Sequence, residues 1–248
     1  MTRYPEQVDL AINKSYAFNF GDYISRGFSL IGKNPGLFIG YAFVYMLIVM
    51  VCQIIPILGP IASFVVTPCL TAGFYLAAHK QEEGQTLEFG DFFKGFDFIG
   101  QLILISLIQA GLLLLTMIPI GAMMFFTLDV TSGDDFPILT VALALLLFLP
   151  IVYIMVAWSF APFLVLFHKM EAWPAMEASR KIISSNWAMF FLFYIVAGFI
   201  TMLGLIALGF GILYTLPAVM CMYYAAFRDI VGVPGAHSEG SFMDHLVD

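Results

Sequence analysis

An all-α polytopic membrane fold is what this sequence predicts: six transmembrane helices paired into three hairpins, each hairpin preceded by a cytoplasmic amphipathic interfacial helix. Three observations lead there. Of the 248 residues, 61% are hydrophobic and 11% charged, against about 45–50% and about 25% in an ordinary soluble domain. The apolar residues gather into uncharged runs of about 20 residues or more, the length that a bilayer core requires. The ten Lys and Arg residues all fall on one side of those runs.

The first run, 37–55, is uncharged and reaches about 28 Å as a helix, close to the hydrocarbon thickness. Pro56-Ile57-Leu58-Gly59-Pro60 then breaks the helix by removing amide donors, and 61–78 returns. The third and fourth runs, 99–128 and 138–167, exceed one crossing, so tilt or bends are expected, with Pro119, Pro150 and Pro162 as bend points. The last apolar stretch divides at Gly204, Gly209 and Gly211 into spans 187–203 and 211–227. Residues 1–231 form one six-span domain, and 232–248 reads as a flexible acidic cytoplasmic tail. The polar lead before residue 37 lacks the short basic-then-apolar form of a cleaved signal peptide, so the first span is expected to remain in the mature protein.

Arg3, Lys14, Arg26, Lys33, Lys80, Lys94, Lys169, Arg180, Lys181 and Arg228 share one side of this arrangement. The other side holds the uncharged turns near Gly59 and Gly209 and the acidic loop 129–137. By the positive-inside rule both termini are cytoplasmic.

Ahead of each hairpin lies a segment too polar to cross. In 87–98, Phe89, Phe92, Phe93 and Phe96 follow helical spacing opposite Glu88, Asp91, Lys94 and Asp97, with Thr86 as N-cap. Residues 22–34 place Tyr23, Ile24, Phe28 and Ile31 on one side. The third segment opens at Trp173-Pro174 and carries Met176, Ile182 and Ile183. The unit repeats in the same orientation: Lys33-Asn34-Pro35-Gly36-Leu37-Phe38 matches Ser185-Asn186-Trp187-Ala188-Met189-Phe190 at an offset of 152, and Thr67-Pro68 matches Leu216-Pro217 at 149. Ala161-Pro162 is a weaker middle copy. A parallel duplication is the expectation.

Pro68 with Gly73, the 84–96 stretch, Trp158 with Ala161-Pro162, Ala175 with Ser179, Asn186-Trp187, and Tyr223-Tyr224 before Arg228-Asp229 carry a diffuse resemblance over most of the chain. The chain resembles bacterial six-span membrane proteins related to the membrane domain attached to some glycerophosphodiester phosphodiesterases. The resemblance implies a membrane module and no phosphodiesterase activity, because that soluble domain is larger than any polar segment present.

No predicted span contains an ionisable group, which argues against a proton-coupled pump or a channel with a charged filter. Cys52, Cys69 and Cys221 lie in apolar runs and suit neither a disulfide framework nor a metal set. His79, His168, His237 and His245 have no metal-ligand partner at short spacing, and His79 with Glu82 and Glu83 reads as a solvated loop. Neither a catalytic site nor a cofactor is expected. The net charge of −7 argues against nucleic acid as a partner.

Three features remain as candidate sites. Pro68, Pro162 and Pro217 each deprive a carbonyl of its helical donor, and those carbonyls, on Phe64, Trp158 and Leu213, define a candidate crevice between the hairpins. Lys33, Lys94, Arg180 and Lys181 are candidate contacts for lipid headgroups, with Phe89, Phe92, Phe93, Phe96 and Trp173 as aromatic anchors. Gly32, Gly36 and Gly40 form a GxxxG series for packing within the chain or self-association. The leading expectation is a non-enzymatic scaffold or accessory subunit whose partners are membrane lipids and another protein or a second copy. The alternative is a transporter or binder of a lipid or other apolar molecule in the crevice.

Overall fold

A computed structural model describes residues 4–13, 16–56, 58–130, 138–206 and 210–234, with the side chains of 124, 126–130 and 138–144 left out. Arg3, Lys14, the acidic loop from 131, the Gly209 turn, and the tail with His237 and His245 lie outside the described residues. Among those described, the chain is all helical. The elements are α1 (Glu6–Asn13), α2 (Phe20–Lys33), α3 (Pro35–Ile54), α4 (Leu58–Glu82), the 3-10 helix η1 (Phe89–Phe98), α5 (Ile99–Val130), α6 (Ile138–Ala157), α7 (Ala161–His168), α8 (Ala172–Ser184), α9 (Trp187–Ile206) and α10 (Ile212–Ile230).

Five segments are long and apolar enough to cross a membrane, contributed by α3, α4, α5, the α6–α7 pair and α9. The sixth expected span, α10, is a helix of 19 residues that carries three tyrosines and has Arg228-Asp229 in its last turn. It packs against α2, α3, α4 and α9. Ala218, Cys221, Tyr224 and Ala226 on it are fully enclosed. A helix at the centre of a bundle meets protein and not lipid, so its composition is free to be less apolar than that of its neighbours.

Burial is uneven along the helices. Large apolar side chains are exposed where α3 ends and α4 begins, as at Ile54 (70%) and Leu58 (67%), and along the middle of α5, as at Ile118 (69%). So much apolar surface suits hydrocarbon and not water. The enclosed core lies at the opposite end. There Phe163 stacks on Phe227 at 4.9 Å between ring centroids, Phe160 meets Phe190 edge-on at 5.2 Å, and Phe18 meets Tyr23 edge-on at 5.1 Å.

The three polar segments belong to this core. Helix α2 lies on α10, η1 on α4, and α8 on α7. Residues 89–98 wind as a 3-10 helix and not the expected α-helix, so side chains eclipse at every third position. Phe92 is consequently not a headgroup anchor: it is fully buried against Phe38, Tyr41 and Phe74. The N-cap is Glu88 in place of Thr86, in a capping box with Asp91. Close approach to α4 depends on glycine, since a Cβ on Gly73 would fall on the Phe92 carbonyl oxygen and one on Gly95 on the Cys69 carbonyl oxygen.

Pro162 does not kink a continuous helix; it occupies the first turn of α7, after a break at Trp158–Phe160. Pro68, Pro119, Pro150 and Pro217 lie within helices that continue through them. The break leaves backbone groups without helical partners, and Ser179 of α8, fully buried, satisfies two of them. Its hydroxyl donates to the Ala157 carbonyl at 2.7 Å and accepts from the Phe160 amide at 3.1 Å. A Ser179→Ala variant should lose about 1–3 kcal/mol of stability, because a buried donor and acceptor become unpaired. Thermal unfolding in detergent checks this, and an unchanged midpoint would show that the hydroxyl is not needed at the break.

Candidate functional site

The six residues of the expected crevice do not converge. Phe64 and Pro68 of α4 line one crevice of about 470 Å³. Leu213 of α10 lines a separate apolar groove of about 700 Å³ against α3, with Phe43, Met46 and Leu47. Pro217 is buried within the α10 packing. Trp158 and Pro162 flank the break between α6 and α7, where the Trp158 carbonyl accepts from the Ala161 amide at 3.1 Å and is not left free. The proline pattern therefore does not define one cavity, because Pro162 starts a helix while Pro68 and Pro217 sit inside helices facing different neighbours.

The smaller crevice, between α3, α4, α5 and α6, has a chemical character that proline spacing did not indicate. Gln53, Ser63, Thr67, Ser106 and Gln109 all line it. Ser106 donates to the Leu102 carbonyl one turn earlier at 3.1 Å. Ser63 Oγ is buried without a hydrogen-bond partner among the described residues. Pro68 supplies no amide hydrogen to the Phe64 carbonyl on the same helix. Apolar wall comes from Phe64, Leu113 and Met155, and the edge is open where Leu113 and Met155 are exposed. Each polar residue is unremarkable alone in an apolar helix; the signal is their convergence from three helices, which residue order alone does not reveal.

At the other end of the bundle, His79, Glu82 and Glu83 do not form a solvated loop. Arg228 of α10 holds Glu82 at 2.6 Å and Glu83 at 3.2 Å, and Arg26 of α2 reaches Glu82 at 3.8 Å. His79 Nδ1 hydrogen-bonds the Tyr224 hydroxyl at 2.9 Å. Tyr23 donates to Asp229 at 2.7 Å, and burial together with that carboxylate pushes the Tyr23 phenol up, so it remains the donor. These contacts tie the ends of α2, α4 and α10 together.

Three of the four basic residues considered for headgroups are engaged within the chain. Lys94 and Lys80 each meet Asp91 at 2.7 Å. Asp91, only 5% exposed, also accepts from the Glu88 amide. Arg180 grips Glu177 through Nε and Nη2 at 2.9 and 2.7 Å, and this hydrogen bonding holds the Glu177 carboxyl below the usual range. Lys181 lies 3.8 Å from the same carboxylate. Lys33 is exposed, with no ion pair among the described residues. Trp173 and Phe89 are exposed at 64% and 40%.

Among the described residues, no helix approaches the GxxxG face closely. A Cβ on Gly32 or Gly36 would meet nothing within 4 Å, and one on Gly40 only Phe89, at 3.9 Å. Close packing occurs instead at Gly27, where a Cβ would collide with Met222 of α10, and at Gly204, where it would collide with Thr215. Compared with family models, curated proteins and solved structures, the chain gives no match. The family resemblance therefore rests on the residues quoted for it, several of which have packing roles here, among them Gly73, Gly95 and Ser179.

Proposed function

We propose that this protein is a non-enzymatic, multi-pass membrane protein that binds a lipid or other amphiphile in the crevice between α3, α4, α5 and α6. The observation that carries the reading is the convergence of five uncharged polar side chains on an open crevice within the spanning segments. Polar groups facing hydrocarbon without partners are costly, and an amphiphile supplies both the hydrogen bonds and a tail that continues into the bilayer. A non-enzymatic role is supported by the engagement of the clustered titratable groups with one another, as in the Arg228 and Asp91 ion pairs.

The topology in this proposal has three hairpins, α3–α4, α5–α6/α7 and α9–α10, with α2, η1 and α8 ahead of them at the cytoplasmic face of a bacterial inner membrane. The one-sided distribution of Lys and Arg supports that orientation. A duplication is supported by matching local geometry at its outer copies. Asn34 and Asn186 each precede a long helix, each donates its amide to the residue three earlier at 3.1 Å, and each is followed four residues later by a buried phenylalanine, Phe38 and Phe190.

Native mass spectrometry of protein extracted gently from its own membranes tests the functional reading. The expected spectrum shows retained lipid and no stoichiometric second protein. A protein partner at fixed ratio with no lipid would support the scaffold reading instead, with the unpaired GxxxG face as its natural docking surface.

A further inference from the structure

We infer that the crevice selects an amphiphile with an uncharged hydroxyl or carbonyl headgroup, held by Gln109 and Ser63 below the membrane surface and by Gln53 beside the α3–α4 turn; this inference rests on the crevice reading above. Depth comes first. Gln109 lies ten residues into α5 from Ile99, about 15 Å along the helix, so it sits near the middle of a bilayer core about 30 Å thick, whereas Gln53 is exposed one residue before the end of α3 and lines the crevice from the α3–α4 turn. Charge comes second. No Asp, Glu, Lys, Arg or His is among the described residues lining the crevice. A phosphate or ammonium headgroup drawn in to the depth of Gln109 would have no counter-charge and would be disfavoured by desolvation.

Hydrogen-bonding capacity comes third. Among the described residues, neither the Gln53 nor the Gln109 side chain has a hydrogen-bond partner within the chain, and Ser63 Oγ is buried without one. Each glutamine offers two N–H donors and a carbonyl acceptor, and serine offers one donor and two lone pairs. That set complements a headgroup that both donates and accepts, such as the glycerol hydroxyl and ester carbonyls of a diacylglycerol, or the terminal hydroxyl of a prenol. The apolar wall of Phe64, Leu113 and Met155 then receives the start of the tail, which leaves by the open edge.

The test uses the full chain in phosphatidylethanolamine–phosphatidylglycerol nanodiscs with three photoreactive probes of equal tail length: a diacylglycerol, a prenol and a phosphatidylglycerol. Diacylglycerol or prenol is expected to label α4 and α5, and labelling is expected to fall at least fivefold in the Gln53→Leu/Gln109→Leu variant. Which of the two labels identifies the source of the headgroup. Ser63→Ala, a smaller change expected to reduce labelling at least twofold, serves if the double variant fails to fold. Equal labelling by phosphatidylglycerol overturns the uncharged-headgroup inference while leaving the amphiphile reading in place. Labelling of this crevice no stronger than that of other lipid-facing helices overturns both. Disulfide cross-linking between copies of a Gln109→Cys variant would place a second copy there and also overturn the inference.

Discussion

A Gly73→Ala variant is expected to be the most destabilised single substitution proposed, losing about 3 kcal/mol or more, because overpacking a tight contact forces backbone to move. The added methyl would fall on the Phe92 carbonyl oxygen, and the Tyr41 hydroxyl is only 2.8 Å away. Neither neighbour yields easily. Phe92 is fixed by the capped 3-10 helix, and Tyr41 donates to the Leu70 carbonyl at 2.8 Å while its ring meets Phe74 edge-on and lies tilted against Phe92. For a chain of this size the unfolding midpoint should fall by about 6–12 °C. Gly36→Ala, where a Cβ meets nothing within 4 Å, is the matched control and should leave the midpoint unchanged. Equal effects at the two glycines would mean that η1 does not lie on α4 as described.

The second large effect is expected at Arg228. Its side chain is 23% exposed, and the carboxylates it holds, Glu82 and Glu83, are 16% and 26% exposed. Removing one partner of a buried pair costs about 3–5 kcal/mol; the partial exposure here reduces the expectation for Arg228→Gln to about 2 kcal/mol. Most of that loss comes from leaving two carboxylates together without their shared cation. Adding Glu82→Gln should therefore recover part of the stability, giving a coupling of about 1 kcal/mol in a double-mutant cycle. Strict additivity of the two substitutions would show that the pair is a surface contact without consequence. A separate Arg228→Lys variant distinguishes charge from geometry, since it keeps the charge but loses the fork that reaches both carboxylates.

Much of the helical architecture was legible in the sequence because hydrocarbon imposes a one-dimensional requirement: enough consecutive apolar residues to cross, with no charge among them. That is why α3, α4 and α9 fall within a few residues of the expected spans. The sixth helix was legible as an apolar run but not as the buried centre of the bundle, since burial by protein leaves no apolar threshold to detect. Spacing failed at Phe92 for a related reason. Phe89, Phe92, Phe93 and Phe96 suit the face of an α-helix, but a 3-10 winding and two glycine contacts draw Phe92 into the core.

The candidate site was half legible. Phe64 and Pro68 were identified from the helical donor that proline removes, and both line the crevice. Gln53, Ser63, Ser106 and Gln109 could be seen only as isolated polar residues, because nothing in sequence order brings positions 53, 63 and 109 together. The ion pairs were obscured likewise: Arg228 and Glu82 are separated by most of the chain, and their pairing depends on α4 and α10 ending side by side.

Local composition by itself determined that this chain is helical, apolar enough for a membrane, and uncharged along its spans, because transfer of each residue into hydrocarbon is nearly independent of its neighbours. Tertiary structure alone decided which helix is central, which polar groups are spent on one another, and which line an open crevice. Those outcomes depend on distances between residues far apart in sequence, and packing sets such distances only when the whole bundle closes.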